Sequence, residues 1–308
     1  IMSVTKLNKF MKDMIFQLEN KGLSASTISM YMKRLYIIND NKPFRSLTFL
    51  KDTEKIISSL KERLSPSTQK SYAGTILSVL SIKDTKTNAK LKKVYNSFIS
   101  DEEIAEINEY NTSDKQKENW ITQEEIAEIK ANLEKNALAQ KEPVTITGYN
   151  MLLKNVLLSF FVNLPPRRAS DYALMKYQDD TSDMNFNYLT SKNVLVFHNY
   201  KTSKTHGTQV MNISKNKPLI KDIKMYLKYR KTNQDNFLLV KFSGKEFNTI
   251  NDITRSLNNI FGKKISTNML RNMYVSHKYG SIKEDMKEDA AAMSHSVNTQ
   301  QTVYNKGS

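Results

Sequence analysis

The stretch that decides the fold runs from Thr147 to Tyr172 and reads TGYNMLLKNVLLSFFVNLPPRRASDY. Its first part is almost continuously apolar and predicts a long helix from about Thr147 to Leu164. Pro165-Pro166 ends that helix, because proline lacks the backbone N–H and clashes with the preceding turn. Two arginines follow at once, so we expect Arg167-Arg168 to begin a new helix directly after the double proline.

Downstream of this stretch the hydrophobic period changes from that of a helix to that of a strand. Residues 187–189, 194–199 and 208–213 alternate, with Gly207 near a turn, which predicts a small antiparallel sheet. Helical patterns then resume, near 217–231, 249–261, 267–279, 283–293 and 298–304. This half is therefore predicted to be mostly α with a small β insert.

Upstream of the stretch the pattern is helical throughout. Thr122 followed by Glu125 predicts a capping box. Before it, Ser26 is positioned to cap a helix that continues to Ile38. Ser65-Pro66 is positioned to open another helix, which continues to Leu80. Further helices are predicted at 4–20, 52–63, 85–99 and 101–109. The expected fold class is mainly α with a small antiparallel sheet: a helical domain followed by an α+β domain.

Charge divides the chain in the same way. Residues 1–100 carry a net charge of +11, residues 101–140 carry −7 and residues 141–308 carry +12. The acidic part includes the polar, proline-free run 111–119, which is typical of a linker. We therefore predict a first domain at 1–110, a linker at 111–120 and a second domain at 121–308.

Composition excludes several classes of protein. The 308 residues contain no cysteine, which excludes disulfides and thiolate zinc sites, and the four histidines have no metal-ligand spacing. The sequence has neither an apolar run long enough to span a bilayer nor a signal peptide, which predicts a soluble intracellular protein. With a net charge of +16, the expected partner is a polyanion, most simply nucleic acid.

Two short segments in the second domain offer cations for a phosphate. Arg167-Arg168, ahead of Asp171, stands at a predicted helix start, where guanidinium and backbone N–H groups can grip a phosphate together. Lys201 and Lys204 lie on the predicted hairpin turn, from which an ammonium group can reach into a groove and protonate a leaving oxygen. Taken singly, each of these segments is more typical of a solvated basic surface than of a phosphate site.

Two further segments follow near the C-terminal end of the sequence. Asn268 and Arg271 are three residues apart on a predicted helix, so an amide and a guanidinium point at one object. His295 stands at the edge of an alanine-rich helix, and Tyr304 follows on another predicted helix. A tyrosine in such a place is ordinarily a packing residue. The prediction of a functional site therefore depends on the order of all four segments rather than on any single segment.

That order, Arg, Lys, x-x-Arg, His and Tyr, resembles the catalytic domain of the tyrosine recombinase (phage integrase) family. Three boxes of the family are matched: Arg-x-x-Glu/Asp-apolar by Arg168 to Tyr172, His-x-x-Arg by Asn268 to Arg271, and Gly-His followed by Tyr by Ser294-His295 and Tyr304. Arg168 is preferred to Arg167 because only Arg168 places Asp171 three residues on. The resemblance covers about residues 120–304, and the first block is similar to the family's core-binding domain in size and character.

The resemblance implies a role for each matched residue. Tyr304 would attack a DNA phosphodiester and form a 3′-phosphotyrosyl link, while Arg168 and Arg271 clamp the phosphate oxygens. His295 would donate a hydrogen bond to the phosphate or position Tyr304. Either Lys201 or Lys204 would be the general acid: counting forward from the preceding strand favours Lys201, and counting back from the following strand favours Lys204.

The resemblance also implies the partners. It predicts double-stranded DNA as substrate, a homo-tetramer on paired recombination sites, and a reaction that needs no metal, ATP or other cofactor, in the compartment where the target DNA lies. The amino-acid composition, which is rich in Lys, Asn and Ile, fits a virus or mobile element. Asn268 departs from the family, which most often has histidine there, and an amide donates a hydrogen bond but cannot transfer protons.

Two other functions remain open from the sequence. A type IB topoisomerase uses a related catalytic domain and the same nucleophile, although the separate helical block favours the recombinase. A non-catalytic DNA-binding protein with this fold would have no need of Tyr304.

Overall fold

The computed structural model describes residues 7–83, 85–100, 117–232, 234–247, 249–294 and 296. The chain forms two compact units, Ile1–Thr112 and Ser113–Ser308. The fold is mainly α with one small four-stranded sheet in the second unit, which confirms the predicted fold class. The roles given to the two predicted domains stay predictions.

The first unit is helical in all the parts that the structure describes. Its elements are α1 (Lys9–Asn20), α2 (Ala25–Ile38), a short 3₁₀ helix (Thr48–Lys51), α3 (Thr53–Arg63), α4 (Pro66–Leu80) and α5 (Lys86–Ile99). The cap of α2 was predicted wrongly: Ser24, not Ser26, accepts a hydrogen bond from the Thr27 N–H, because the helix begins at Ala25. The predicted helix at 101–109 lies outside the described residues.

The core of this unit is formed by the apolar faces of its helices. Met11, Leu18, Leu35 and Ile76 are completely buried there. Tyr95 is buried as well, and its hydroxyl donates to the Leu50 carbonyl at 3.0 Å, which satisfies the polar end of the ring. Burial raises the pKa of Tyr95 above its ordinary value, so the ring is a neutral core residue.

The second unit contains the sheet and the stretch that opened the sequence. Its elements are α6 (Gln123–Leu138), α7 (Ile146–Val162), α8 (Ala169–Tyr172), β1 (Lys176–Tyr177), β2 (Asn187–Leu189), β3 (Val194–Phe197), α9 (Ser203–His206), β4 (Gln209–Asn212), α10 (Lys217–Tyr229), α11 (Ile250–Phe261) and α12 (Thr267–Ala292). The predicted capping box is confirmed at α6, where Thr122 and Glu125 bond reciprocally.

Helix α7 is the central element of this unit, as its apolar sequence predicts. Its successive residues 155–161 are all buried, so the helix is surrounded on every side. Asn155 is the polar exception, and its amide donates to Asp222 Oδ1 at 2.8 Å. Lys130 lies 2.8 Å from the other Asp222 oxygen, so a buried ion pair joins α6, α7 and α10.

The sheet has the strand order β1-β2-β3-β4. Strands β2, β3 and β4 pair antiparallel, as predicted, with Val196 opposite both Tyr188 and Val210. Strand β1 was not predicted, and it pairs parallel to β2, so the sheet is mixed rather than purely antiparallel. A strand of two residues is too short to show any alternation, which is why the pattern missed it.

Helix α12 is one continuous helix, where two helices at 267–279 and 283–293 were predicted. The prediction broke the helix near Gly280, but a glycine inside a helix costs only about 1 kcal/mol relative to alanine and does not have to end it. After Met273 several apolar side chains of the helix are about half exposed, namely Val275, Tyr279 and Ile282, whereas Ala290 near its end is buried. Within the described part of the chain, no helix is long and apolar enough to cross a membrane.

Candidate active site

The first arginine segment stands where the double proline turns the chain out of α7. Arg168 is the N-cap residue of α8, a single turn of four residues. The Ala169 N–H donates to Thr267 Oγ1 at 3.3 Å, and the Asp171 N–H donates to the Arg168 carbonyl at 3.0 Å. The expectation that the backbone N–H groups here grip a phosphate is therefore wrong for these two groups, which already have partners.

The same hydrogen bond brings the second arginine segment to the first. Thr267 is the first residue of α12, so Asn268 and Arg271 lie on the turn of α12 that abuts the start of α8. Ser266 caps this turn by accepting from the Met269 N–H. Within the ranges described, the side chains of Arg168, Asn268 and Arg271 have no hydrogen-bond or ionic partner, so their donors are available to a ligand.

Arg167, the arginine that the sequence set aside, is held in place by protein groups. Its Nε donates to Asp171 Oδ2 at 3.0 Å and its Nη1 donates to Gln209 Oε1 at 2.8 Å. The guanidinium lies over the rings of Phe197, at 3.9 Å, and Tyr200, at 5.1 Å. The sequence preferred Arg168 because only that arginine places Asp171 three residues on. In the structure the Asp171 carboxylate pairs with Arg167, four residues before it. The assignment of Arg168 to the first box stays a prediction.

The lysines lie on the connection between β3 and β4, as predicted, but the connection is more than a turn. It contains the short helix α9, so Lys201 precedes a helical turn and Lys204 lies within it, and both side chains are exposed. The Tyr200 hydroxyl donates to the Gly207 carbonyl at 2.6 Å and closes the base of the connection. The structure leaves both lysines as candidates for the general acid.

Asn187 links this connection to the arginine segment and was missed by sequence reasoning. Its Nδ2 donates to the carbonyl oxygens of Asp171, at 2.8 Å, and Asn199, at 2.9 Å, while its Oδ1 accepts from the Asn199 N–H at 2.8 Å. Asn187 is 3% exposed. A polar residue in an otherwise apolar strand was the available signal, because a buried amide must find several hydrogen-bond partners.

Tyr172, which ends the first box, is not a candidate nucleophile. It is completely buried among the rings of Phe160, Phe161 and Phe197. Burial raises its pKa well above the ordinary value for tyrosine, with a smaller opposing effect from nearby Arg167. Within the described part of the chain, its hydroxyl has no hydrogen-bond partner. A neutral, enclosed phenol cannot reach a DNA backbone.

The two residues of the third box that carry its chemistry lie outside the described residues. His295 and Tyr304 both fall there, as does the predicted helix at 298–304. Their roles stay predictions that follow from the resemblance. The structure brings together three of the four predicted segments. They are the start of α8, the lysine-bearing connection and the first turn of α12.

Comparison with known proteins adds a structural match. Among solved structures, the chain is similar to one described as the crystal structure of XerA recombinase. The alignment covers 96% of this chain and 92% of that chain, with 14% sequence identity and a TM-score of 0.36. No protein-family model matches the sequence, and no curated protein matches it. The chemistry assigned to this site therefore rests on the residues of the chain itself.

Proposed function

We propose that the chain is a site-specific DNA recombinase that cleaves and rejoins strands through a covalent 3′-phosphotyrosyl intermediate. One observation carries the proposal: the Ala169–Thr267 hydrogen bond joins the two segments that bear Arg168 and Arg271. The two arginines are 103 positions apart in sequence, yet they lie at adjoining helix starts, and neither guanidinium has a hydrogen-bond or ionic partner among the residues that the structure describes. Two cations on adjoining segments suit a phosphodiester that gains charge during reaction.

The clamp works through hydrogen bonds that strengthen in the transition state. Arg168 and Arg271 would each donate to the non-bridging oxygens of the scissile phosphate, because the planar fork of a guanidinium matches a phosphate. Asn268 would add an amide donor from the same turn of α12. As negative charge accumulates on the pentacovalent phosphorus, these groups stabilise it more than they stabilise the starting diester.

The covalent step transfers the phosphoryl group between two oxygens. The Tyr304 oxygen forms a bond to phosphorus, the bond from phosphorus to the 5′-oxygen breaks, and the phenolic proton leaves to solvent. The ammonium group of Lys201 or Lys204 gives its proton to the departing 5′-oxygen. His295 donates to the phosphate or positions Tyr304. Attack by a 5′-hydroxyl of another strand reverses the step and exchanges strands.

The proposed partner is double-stranded DNA, bound by the basic charge of both units. The proposed assembly is a homo-tetramer on two paired sites, since four strand cleavages are needed to exchange two duplexes. The acidic charge at 101–140 then falls between two DNA-binding parts of net charge +11 and +12, residues 1–100 and 141–308, and the proposed linker within it is 111–120.

The test is recovery of DNA covalently trapped on the protein. A library of nicked random duplexes is incubated with the chain, and denatured adducts are isolated and sequenced to find the target. We expect wild type to form an adduct and Tyr304→Phe to form none. Tyr279→Phe is the matched control, because Tyr279 is an exposed tyrosine of α12 remote from the first turn, and it should form the adduct normally.

An adduct that persists in the Tyr304→Phe protein would remove Tyr304 as the nucleophile. Efficient relaxation of supercoiled plasmid that lacks the recovered site would instead assign the chain as a type IB topoisomerase. DNA binding without any adduct would leave a non-catalytic DNA-binding protein.

A further inference from the structure

Arg167 contacts both ends of the connection that carries the two lysines. Its guanidinium lies 3.9 Å from the ring centre of Phe197, the last residue of β3, and bonds at 2.8 Å to Gln209, the first residue of β4. Tyr200, the residue just before Lys201, stacks on it at 5.1 Å. One side chain therefore defines where the connection leaves the sheet and where it returns.

Arg167 also contacts the segment that carries Arg168, one of the two arginines proposed to clamp the phosphate. Arg167 Nε donates to Asp171, whose side chain is only 2% exposed, and Arg167 itself immediately precedes Arg168. A charge-assisted bond to a buried carboxylate is among the stronger hydrogen bonds in proteins. The side chain of Arg167 is 17% exposed, so it is enclosed between these groups rather than offered to a ligand.

We propose that Arg167 is a positioning residue that sets the place of the lysine-bearing connection relative to Arg168. The proposal rests on the proposed function and deepens it: Arg167 acts through the general acid, whichever of Lys201 and Lys204 that is. Only a guanidinium can bond to Asp171 and Gln209 while its flat face covers two rings. A lysine here keeps the charge beside Asp171 but loses the second bond and the stacked face.

We expect the loss of Arg167 to affect one step of the reaction, the protonation of the departing 5′-oxygen. When the bond from phosphorus to the 5′-oxygen breaks, that oxygen must receive a proton from the lysine ammonium group. A displaced lysine slows this proton transfer, whereas attack by the tyrosine and charge stabilisation by Arg168 and Arg271 continue. A 5′-sulfur leaving group needs no such proton, because a thiolate is a far weaker base than an alkoxide and departs as the anion.

The experiment compares two substrates in Arg167→Lys and wild type. One is the recovered target duplex, and the other is the same duplex with sulfur in place of the scissile 5′-oxygen. We expect Arg167→Lys to form the adduct about 100-fold more slowly on the oxygen substrate, as for loss of a general acid, and within about threefold of wild type on the sulfur substrate. Arg230→Lys is the matched control: Arg230 also bonds to a side chain, Asn236, and stacks on Tyr177, yet contacts no part of the lysine connection.

Equal loss on both substrates, or no loss on either, would overturn the proposal. Wild type that attacks neither substrate would overturn the proposed function, and a measurement without DNA then still decides the structural claim. Trypsin should cut after Lys201 or Lys204 faster in Arg167→Lys than in wild type or Arg230→Lys, with fragments identified by mass. Unchanged cleavage there would show that Arg167 does not hold the connection.

Discussion

The hydroxyl of Tyr172 is buried inside the second unit. The ring is completely buried, and its oxygen makes no hydrogen bond to any residue that the structure describes. An unsatisfied buried polar group costs free energy, so Tyr172→Phe should raise the free energy of unfolding, by about 1 kcal/mol. Urea denaturation followed by circular dichroism measures the change.

Tyr149→Phe is the control for that prediction. Tyr149 is equally buried, but its hydroxyl donates to the Val240 carbonyl at 2.9 Å. Its removal leaves a buried carbonyl with one bond fewer, and the free energy of unfolding should fall by about 1 kcal/mol or more. Two substitutions of the same chemistry thus have opposite expected signs, and a loss of stability in Tyr172→Phe would show that its hydroxyl has a partner.

At the scale of the element, the lysine-bearing connection depends on one glycine. Gly207 has φ 64° and ψ −162°, a backbone region that is essentially restricted to glycine, and it leads α9 into β4. A Cβ here would meet no atom within 4 Å, so the cost of Gly207→Ala is conformational rather than steric. We expect a loss of about 1–3 kcal/mol in the free energy of unfolding, with slower covalent adduct formation, because the lysines move with the connection.

Gly280 gives the opposite expectation in helix α12. It lies inside the helix with open space around its Cα, so alanine fits without a clash. Gly280→Ala should raise the free energy of unfolding by about 0.5–1 kcal/mol, because alanine loses less backbone freedom on folding. Thermal melts of Gly207→Ala and Gly280→Ala measure both changes in stability. A destabilised Gly280→Ala protein would argue that α12 is interrupted there.

At the scale of the whole molecule, the distribution of charge should govern DNA binding. Two parts of net charge +11 and +12 provide many lysines and arginines for phosphates. Each phosphate contact releases counterions, so affinity for the target duplex should fall by about 1000-fold or more between roughly 50 and 200 mM salt. Fluorescence anisotropy with labelled duplex measures the slope, and a flat salt response would contradict extensive phosphate contact.

Local residue patterns predicted much of the fold. The apolar run ahead of Pro165-Pro166 predicted α7 and its end, because a proline beyond the first turn removes a helical hydrogen bond and clashes with the preceding turn. Thr122 and Glu125 predicted the start of α6 for an equally local reason. Period-two alternation found the three longer strands but missed β1, whose pairing comes from its neighbour rather than from its own two residues. The continuity of α12 through Gly280 was likewise beyond local propensity.

The sequence by itself determined the mainly α fold, the division of charge and the order of the cationic segments, since these depend on residue type and spacing along the chain. Only the tertiary structure decided which groups meet. It joined Ala169 to Thr267 across the chain, paired Asp171 with Arg167 rather than Arg168, and turned Gln209 toward the same guanidinium. Such contacts arise from packing between distant segments, and no spacing within one segment encodes them.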